Sequence, residues 1–492
     1  MNPMDIREVK AASKKLGFPC VIPLVKALRN SRELTPVDVY SALNGDRKFS
    51  FLLESAELGE KVARYSFLGR EAKNIITIKN GRISINGRSN ASKNPLSDLS
   101  NILSRYKVYG GKLPKFFGGL LGYFSYDMVR YFEAIGDEAK NELEHNDAQF
   151  IFVKDLIAFD HWRDEILLIS NLVLEGKGDL EAEYERARSK IAEMKELISK
   201  TKKLKKPLMK KEKPLQIKSN FKKEEFESAV DKAKGHIKAG DIFQVVLSQR
   251  LESKGSFNPF NVYRALKEIN PSPYMYLLDF DKTTIIGSSP EILVKVDGRI
   301  VTVRPIAGTR PRGRDIVEDE ALAREMVNDE KERAEHVMLV DLGRNDVGKV
   351  SRFGTVKVTE FFGIEKYSHV QHIISNVNGE LVDGVTSFEA LGAAFPAGTV
   401  TGAPKVRAMQ IIEGLEPARR GVYAGCVGYF SFDGDMDFAI TIRTIVIENG
   451  RAYVQAGAGI VADSIPEREY QETLNKGKAM VKALEMAGGG VE

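Results

Sequence analysis

ILVKVDGRIVTV, residues 292–303, consists of two β-branched runs separated by Asp297-Gly298, and its reading decides the fold class. Asp-Gly tolerates the positive φ values of a type I′ turn, so the runs are expected to fold back as an antiparallel hairpin. The same pattern recurs at both ends of the chain. Asn80-Gly81 separates IITI (75–78) from ISI (83–85), and Asn449-Gly450 separates ITIRTIVI (440–447) from AYVQA (452–456). Helical stretches interrupt the hairpins, at Ile316 to Leu342 and at Pro466 to Met486. Ser464 and Glu467 stand in capping-box spacing at the start of the second. Antiparallel hairpins with segregated helices predict an α+β protein, not a doubly wound parallel sheet.

At 492 residues the chain has room for two or three domains, and 43% apolar with 29% charged residues is a globular composition. No run of about 18 uncharged apolar residues predicts a membrane span, and the charged N-terminus lacks the apolar core of a secretory signal. Cys20 and Cys426 are far apart and in no metal-ligand spacing, which suits a reducing cytoplasm. The net charge of +5 is concentrated: residues 200–213 hold eight lysines and one glutamate, leaving the remainder slightly acidic. Without aromatic residues, that Lys/Pro segment reads as a solvated linker and not as a nucleic-acid groove. It divides the chain into residues 1–199, a linker at 200–220, and residues 221–492. Before the linker, Leu180, Tyr184, Ala187, Ile191, Met194 and Ile198 form one apolar helical stripe. GLLGYFSYD (119–127) is echoed by GCVGYFSFD (425–433), as two aromatic strands with similar packing needs or as a duplicated one.

Three constellations can carry chemistry. Glu332 and Glu335 are three apart on one helix, and Glu469 and Glu472 repeat the spacing on another, so each pair shares a face. Two such pairs could clamp a hard divalent cation, although pairs of this kind are usually solvent-facing. Three glycine-rich segments, PIAGTRPRG (305–313), FPAGTVTGAPK (395–405) and QAGAGIVADS (455–464), are expected to be turns whose amides cradle an anion. Arg310, Arg312, Lys405 and Arg443 lie nearby in sequence, and none of the three segments is a Walker A or Rossmann motif. His369 and His372 in YSHVQHIISNV would fall on opposite faces of a strand.

Taken together, these segments resemble the chorismate-utilising enzymes, in order and at family-like spacing from Phe221 to Ala487. The resemblance implies antiparallel sheets in a sandwich flanked by helices, with the active site between them. It implies that Glu335 and Glu472 hold Mg²⁺, supported by Glu332 and Glu469. Gly308, Thr309, Tyr423, Arg443 and the Gly457-Ala458-Gly459 segment would bind the substrate carboxylates, with Lys476 a further pocket residue. His372 would be a general acid near the departing C4 hydroxyl, with Glu291 and Thr399 further catalytic candidates.

Two positions point to the branch of the family that makes anthranilate. Water-adding members carry a lysine where this chain has Gln244, and a glutamine cannot serve as a general base. Aminodeoxychorismate synthases, the alternative reading, usually carry a lysine in PIKGT, where this chain has Ala307. Ammonia itself is then expected to attack C2. Neither cysteine sits in an amidotransferase nucleophile motif, so a glutamine amidotransferase subunit is the expected ammonia source, in a heterotetramer of two large and two small subunits. FLLESAE (51–57) and NPSPYMY (270–276) resemble the family's tryptophan-site segments. This implies feedback inhibition through Ser55, Pro273, Tyr274 and Met275, with residues 1–199 regulatory and residues 221–492 catalytic.

Overall fold

The computed structural model describes residues 3–43, 48–55, 64–71, 74–111, 113–143, 145–205, 214–366 and 370–488. Among these residues two large, mostly antiparallel sheets form, one of 13 strands and one of 12. Their facing sides enclose an aromatic core that includes Phe51, Phe67 and Tyr276 of one sheet and Tyr123 and Tyr429 of the other. Helices cover the outer faces. Tyr184, Ala187 and Ile191 of the Leu180–Lys200 helix, all from the expected stripe, are buried against the 13-stranded sheet. Phe388 stacks on Phe430 of the other sheet. This is the α+β class expected from the hairpin pattern, arranged as the sandwich that the family resemblance implied.

Strands from before and after the basic segment pair directly with one another. Leu53 is in register with Tyr276 in one sheet, and Gly122 with Gly428 in the other. The two echoed segments are thus adjacent antiparallel strands, Gly119–Phe124 against Cys426–Ser431, in the middle of the 12-stranded sheet. Residues 206–213 of the basic segment lie outside the described residues.

All three hairpins form, with a difference at one turn. Asn80, Gly81, Asn449 and Gly450 have positive φ, as type I′ loops require. At the third, Asp297 pairs with Ile300, so the loop is Gly298-Arg299, with positive φ at Gly298 alone. That is the type II′ pattern, in which glycine takes the first central position.

Both helix expectations need correction in detail. The stretch from Ile316 is two helices, Ile316–Asn328 and Glu330–Gly348. Asp329 between them has φ −68° and ψ 119°, and its side chain accepts the Glu332 amide at 2.9 Å as an N-cap. At the Pro466–Gly488 helix, the Ser464 hydroxyl turns back to accept the Val461 amide at 3.1 Å, while Glu467 pairs with Lys223. The capping box is not formed.

Candidate active site

The strand Ile306–Pro311 pairs with Val370–Glu380, but the register slips between Ala307 and Arg310. Gly308 and Thr309 are therefore released from regular pairing, and Gly308 takes φ +62°, a conformation that glycine adopts without a Cβ penalty. The released segment meets His372: Nδ1 lies 2.8 Å from the Gly308 carbonyl and 3.1 Å from Thr309 Oγ1. The carbonyl can only accept, so Nδ1 carries the proton and Nε2 presents a lone pair. Burial and the Arg443 charge lower the His372 pKa, against the pull of Glu365. A neutral imidazole in this tautomer is an acceptor. To act as an acid it must first take up a proton, which a substrate carboxylate screening Arg443 would favour. His369 lies outside the described residues.

Gly457, Ala458 and Gly459 do not form the expected turn. They are the end of a regular strand, Arg451–Ile460, paired with Ser248, Leu247 and Val246 respectively. Their glycines serve close approach instead: a Cβ at 457 would stand 2.7 Å from the Tyr423 hydroxyl oxygen, and one at 459 would stand 2.7 Å from Gln244 Nε2. The Gly457 carbonyl accepts from Lys476 Nζ at 3.1 Å, and Lys476 also pairs with Glu472 at 2.7 Å.

Glu291 is the buried acid of the site. Desolvation pushes its pKa up to about 7, against the Thr399 hydroxyl, Arg443 and Lys476. A carboxyl poised near neutrality in a site is suited to proton transfer in either direction. Lys476 also acts electrostatically on Glu335 and Glu469. Burial and the neighbouring Glu332 raise the Glu335 pKa, and burial and Glu472 raise that of Glu469. The two carboxylate pairs, Glu291 and Lys476 thus share one electrostatic neighbourhood, with Arg443 linking Glu291 to His372.

At present the carboxylates are engaged with protein cations and an amide. Glu332 accepts from Arg310 at 2.9 Å, and Glu335 accepts from the Gln244 amide at 3.4 Å. Among the described residues, no three acidic, histidine or cysteine groups stand close enough to hold a metal ion. The donors are hard anionic oxygens, which suits a hard divalent cation. Ligation requires them to turn from their present partners.

Three of the cations that the glycine-rich segments suggested for an anion are committed elsewhere. Arg310 pairs with Glu325 and Glu332, and Arg312 with Asp319 at 2.7 Å. Lys405 is buried between Asp346, at 2.8 Å, and the Ala394 carbonyl, at 2.9 Å. Arg443, at φ +49°, stays at the site.

Apart from this site, a cavity of about 760 Å³ lies between the two sheets. Ser55, Pro273, Tyr274 and Met275 all line it, so the two sequence segments meet there. Its far wall was not anticipated: Thr302, Arg304, Glu365, Asn376 and Asp437 of the other sheet. Ser55 Oγ is buried without a hydrogen-bond partner among the described residues. Tyr274 donates to the half-buried Asp437 at 3.0 Å, and Trp162, 58% exposed, also lines the cavity.

The chain matches the family described as chorismate binding enzyme over residues 49–482. It belongs to that family. Among chorismate-binding enzymes it is 46% identical to anthranilate synthase component 1 of Acetivibrio thermocellus, over 98% of each chain. It is also 46% identical to that of Aquifex aeolicus, again over 98% of each. The crystal structure of anthranilate synthase component I from Streptococcus pneumoniae superposes with a TM-score of 0.77 at 40% identity, covering 92% of this chain and 99% of that one. The menaquinone-specific isochorismate synthase from Escherichia coli shares the fold at 18% identity, with a TM-score of 0.71 over 97% and 98% of the two chains. No helix among the described residues is long and apolar enough to cross a membrane.

Proposed function

We propose that this chorismate-binding enzyme is a lyase that aminates chorismate at C2 with ammonia and eliminates pyruvate, giving anthranilate for tryptophan biosynthesis. One chorismate and one ammonia yield anthranilate, pyruvate and water. The observation that carries the reading is the pair of side chains at the two branch-defining positions. Ala307 is a buried methyl with no amine to attack C2, and the Gln244 amide is turned to Glu335. Lys476, a nearby amine, is held by Glu472 and the Gly457 carbonyl. Ammonia is left as the nucleophile. The similarity to anthranilate synthase component 1 over nearly the whole chain supports the same reading.

Arg443 and the unpaired Gly308-Thr309 segment bind carboxylate, the arginine through its planar fork, with Tyr423 and the Gly457–Gly459 strand forming the facing wall. Once protonated, His372 delivers its proton to the departing C4 hydroxyl, which leaves as water. Glu291 takes the C2 proton as the enolpyruvyl group leaves as pyruvate. Glu335 and Glu472, supported by Glu332 and Glu469, hold Mg²⁺, which when bound supplies Lewis acidity at the ring carboxylate. A glutamine amidotransferase subunit delivers the ammonia, in a cytoplasmic heterotetramer of two large and two small subunits. Tryptophan occupies the cavity between the sheets and inhibits, with residues 1–199 supplying the Ser55 side and residues 221–492 the catalytic groups.

The test is to incubate the purified chain with chorismate, ammonium and Mg²⁺ and identify the products. Anthranilate and pyruvate are expected, with glutamine replacing ammonium only when the partner is added. Isochorismate, salicylate or aminodeoxychorismate as the main product overturns the reading.

A further inference from the structure

The Glu330–Gly348 helix carries Glu332 and Glu335 in its first two turns, and its buried face runs through His336, Leu339, Val340, Gly343, Asp346 and Val347. No residue from Val327 to Glu335 is buried, and the helix is broken from its predecessor at Asp329. His336, with no exposed surface, is thus the first anchor of the segment that presents the two carboxylates. It is also polar where a leucine would be buried at lower cost.

The surroundings of His336 are built. Its Nε2 lies 2.7 Å from Ser375 Oγ, and that oxygen accepts the Phe362 amide at 3.2 Å. The serine oxygen has two lone pairs and one hydrogen, so it can accept from Phe362 and either accept from or donate to His336 Nε2; the chain closes in either tautomer. His336 Nδ1 is buried without a partner among the described residues, so Ser375 is the one hydrogen-bonding contact that orients the ring there. Phe362 is held at φ +54° at a register slip of its strand, a costly conformation for a bulky residue. Its ring centroid is 4.9 Å from the His336 ring, and the Arg333 guanidinium covers it at 4.7 Å.

We infer that His336 is a positioning residue: the Phe362–Ser375–His336 chain of hydrogen bonds fixes the rotation of its helix so that Glu332 and Glu335 face the Glu469 and Glu472 pair. Magnitudes favour such a lock. Side-chain ends lie roughly 5–6 Å from a helix axis, so a rotation of about 20° displaces a carboxylate by about 2 Å. Metal–ligand distances tolerate only about ±0.2 Å. An apolar side chain at 336 would retain burial but set no direction, because hydrophobic contact is non-directional. The inference rests on the proposal that these carboxylates hold the divalent cation.

Ser375→Ala and His336→Phe remove the chain while keeping the site filled, and His336→Gln restores a side-chain amide able to meet Ser375. Mn²⁺ binding to each protein without substrate, followed by electron paramagnetic resonance, is read beside Tm and the kcat and KM for chorismate. The first two variants are expected to bind Mn²⁺ about tenfold or more weakly, the scale for groups that orient a ligand, with kcat reduced and His336→Gln intermediate. Should His336→Phe not fold, Ser375→Ala, which removes a single oxygen, carries the test. Wild-type Mn²⁺ affinity in the folded variants, even with a lowered Tm, makes the role merely structural and overturns this inference alone. A wild-type protein that binds no Mn²⁺ overturns the metal proposal and this inference with it.

Discussion

The Gln244 side-chain amide donates to Glu335 Oε1 at 3.4 Å, so the residue at the water-activating position of related enzymes here steadies a proposed metal ligand. Glu335 is raised in pKa by burial and by Glu332, and this contact and Lys476 are among the groups that oppose the shift. Glu335→Gln and Glu472→Gln should each raise the magnesium needed for half-maximal turnover by more than about tenfold, since even groups that only support a ligand cost roughly 10–100-fold in affinity. Initial rates over a magnesium titration, with circular dichroism to confirm folding, check this. A variant with wild-type activity at limiting magnesium removes that residue from the ligand set.

His372→Ala should lower kcat by roughly 10²–10⁴, the usual contribution of a positioned acid or base, with little change in KM for chorismate. The imidazole is oriented through Nδ1 by Gly308 and Thr309, and a group that acts by delivering a proton is missed mainly in the transition state. Steady-state kinetics decide the matter. A rise in KM with kcat preserved reassigns the residue to binding.

Glu291 makes a pH prediction. Its pKa is about 7, raised above 4.5 mainly by burial, and a base must be deprotonated to act. Activity limited by the elimination step should therefore rise as pH increases through about 7 and level off above it. Glu291→Gln should lose most turnover and, in what remains, this rising limb. A profile of kcat against pH for both proteins tests the assignment; an unchanged limb in the variant assigns it to another group.

The hairpins were legible because their turn chemistry is local: Asn80-Gly81 and Asn449-Gly450 declare their own φ values. The break at Asp329 was hidden, because helical character continues on both sides and only the cap geometry marks the interruption. Gly457 and Gly459 were misread for a different reason. Glycine signals both turns and close approach, and the hydroxyl and amide that crowd these two belong to residues 423 and 244. Likewise the carboxylate pairs were visible as helical spacing, as was Lys476 one turn after Glu472 on the same helix, but Arg310, which holds Glu332, is brought in by the fold. His336 carries no signal distinguishing it from any buried histidine until Ser375 and Phe362 are placed beside it. The far wall of the inter-sheet cavity needed both sheets assembled, since Ser55 and Asp437 are 382 positions apart.

That cavity supports the last prediction, inhibition by tryptophan. About 760 Å³ is ample for a small amphipathic ligand, and the buried Ser55 hydroxyl, unpartnered among the described residues, is available to its polar head. Met275 offers an apolar wall for the indole. Arg304 and Ile306 line the same cavity, on either side of Pro305 in the chain that leads into Ala307 and the Gly308-Thr309 segment. Arg304 is held by Glu365 at 2.9 Å, and Glu365 is the cross-strand partner of His372. Occupancy of the cavity therefore bears on the strands that shape the chorismate site without any shared contact. Coupling of this kind is reciprocal, so chorismate should weaken tryptophan binding by the factor by which tryptophan weakens chorismate binding. Ser55→Arg places a guanidinium in the cavity and should give a resistant enzyme, with the inhibition constant raised by about tenfold or more. That factor corresponds to about 1.4 kcal/mol, less than the cost of leaving a ligand's charged head poorly paired in a buried site. Calorimetric titration of both proteins with tryptophan, with and without chorismate, measures the affinity and the coupling together. Equal tryptophan sensitivity in the variant and the wild type places the inhibitor elsewhere, and a tryptophan affinity unchanged by chorismate shows that the two sites are not coupled.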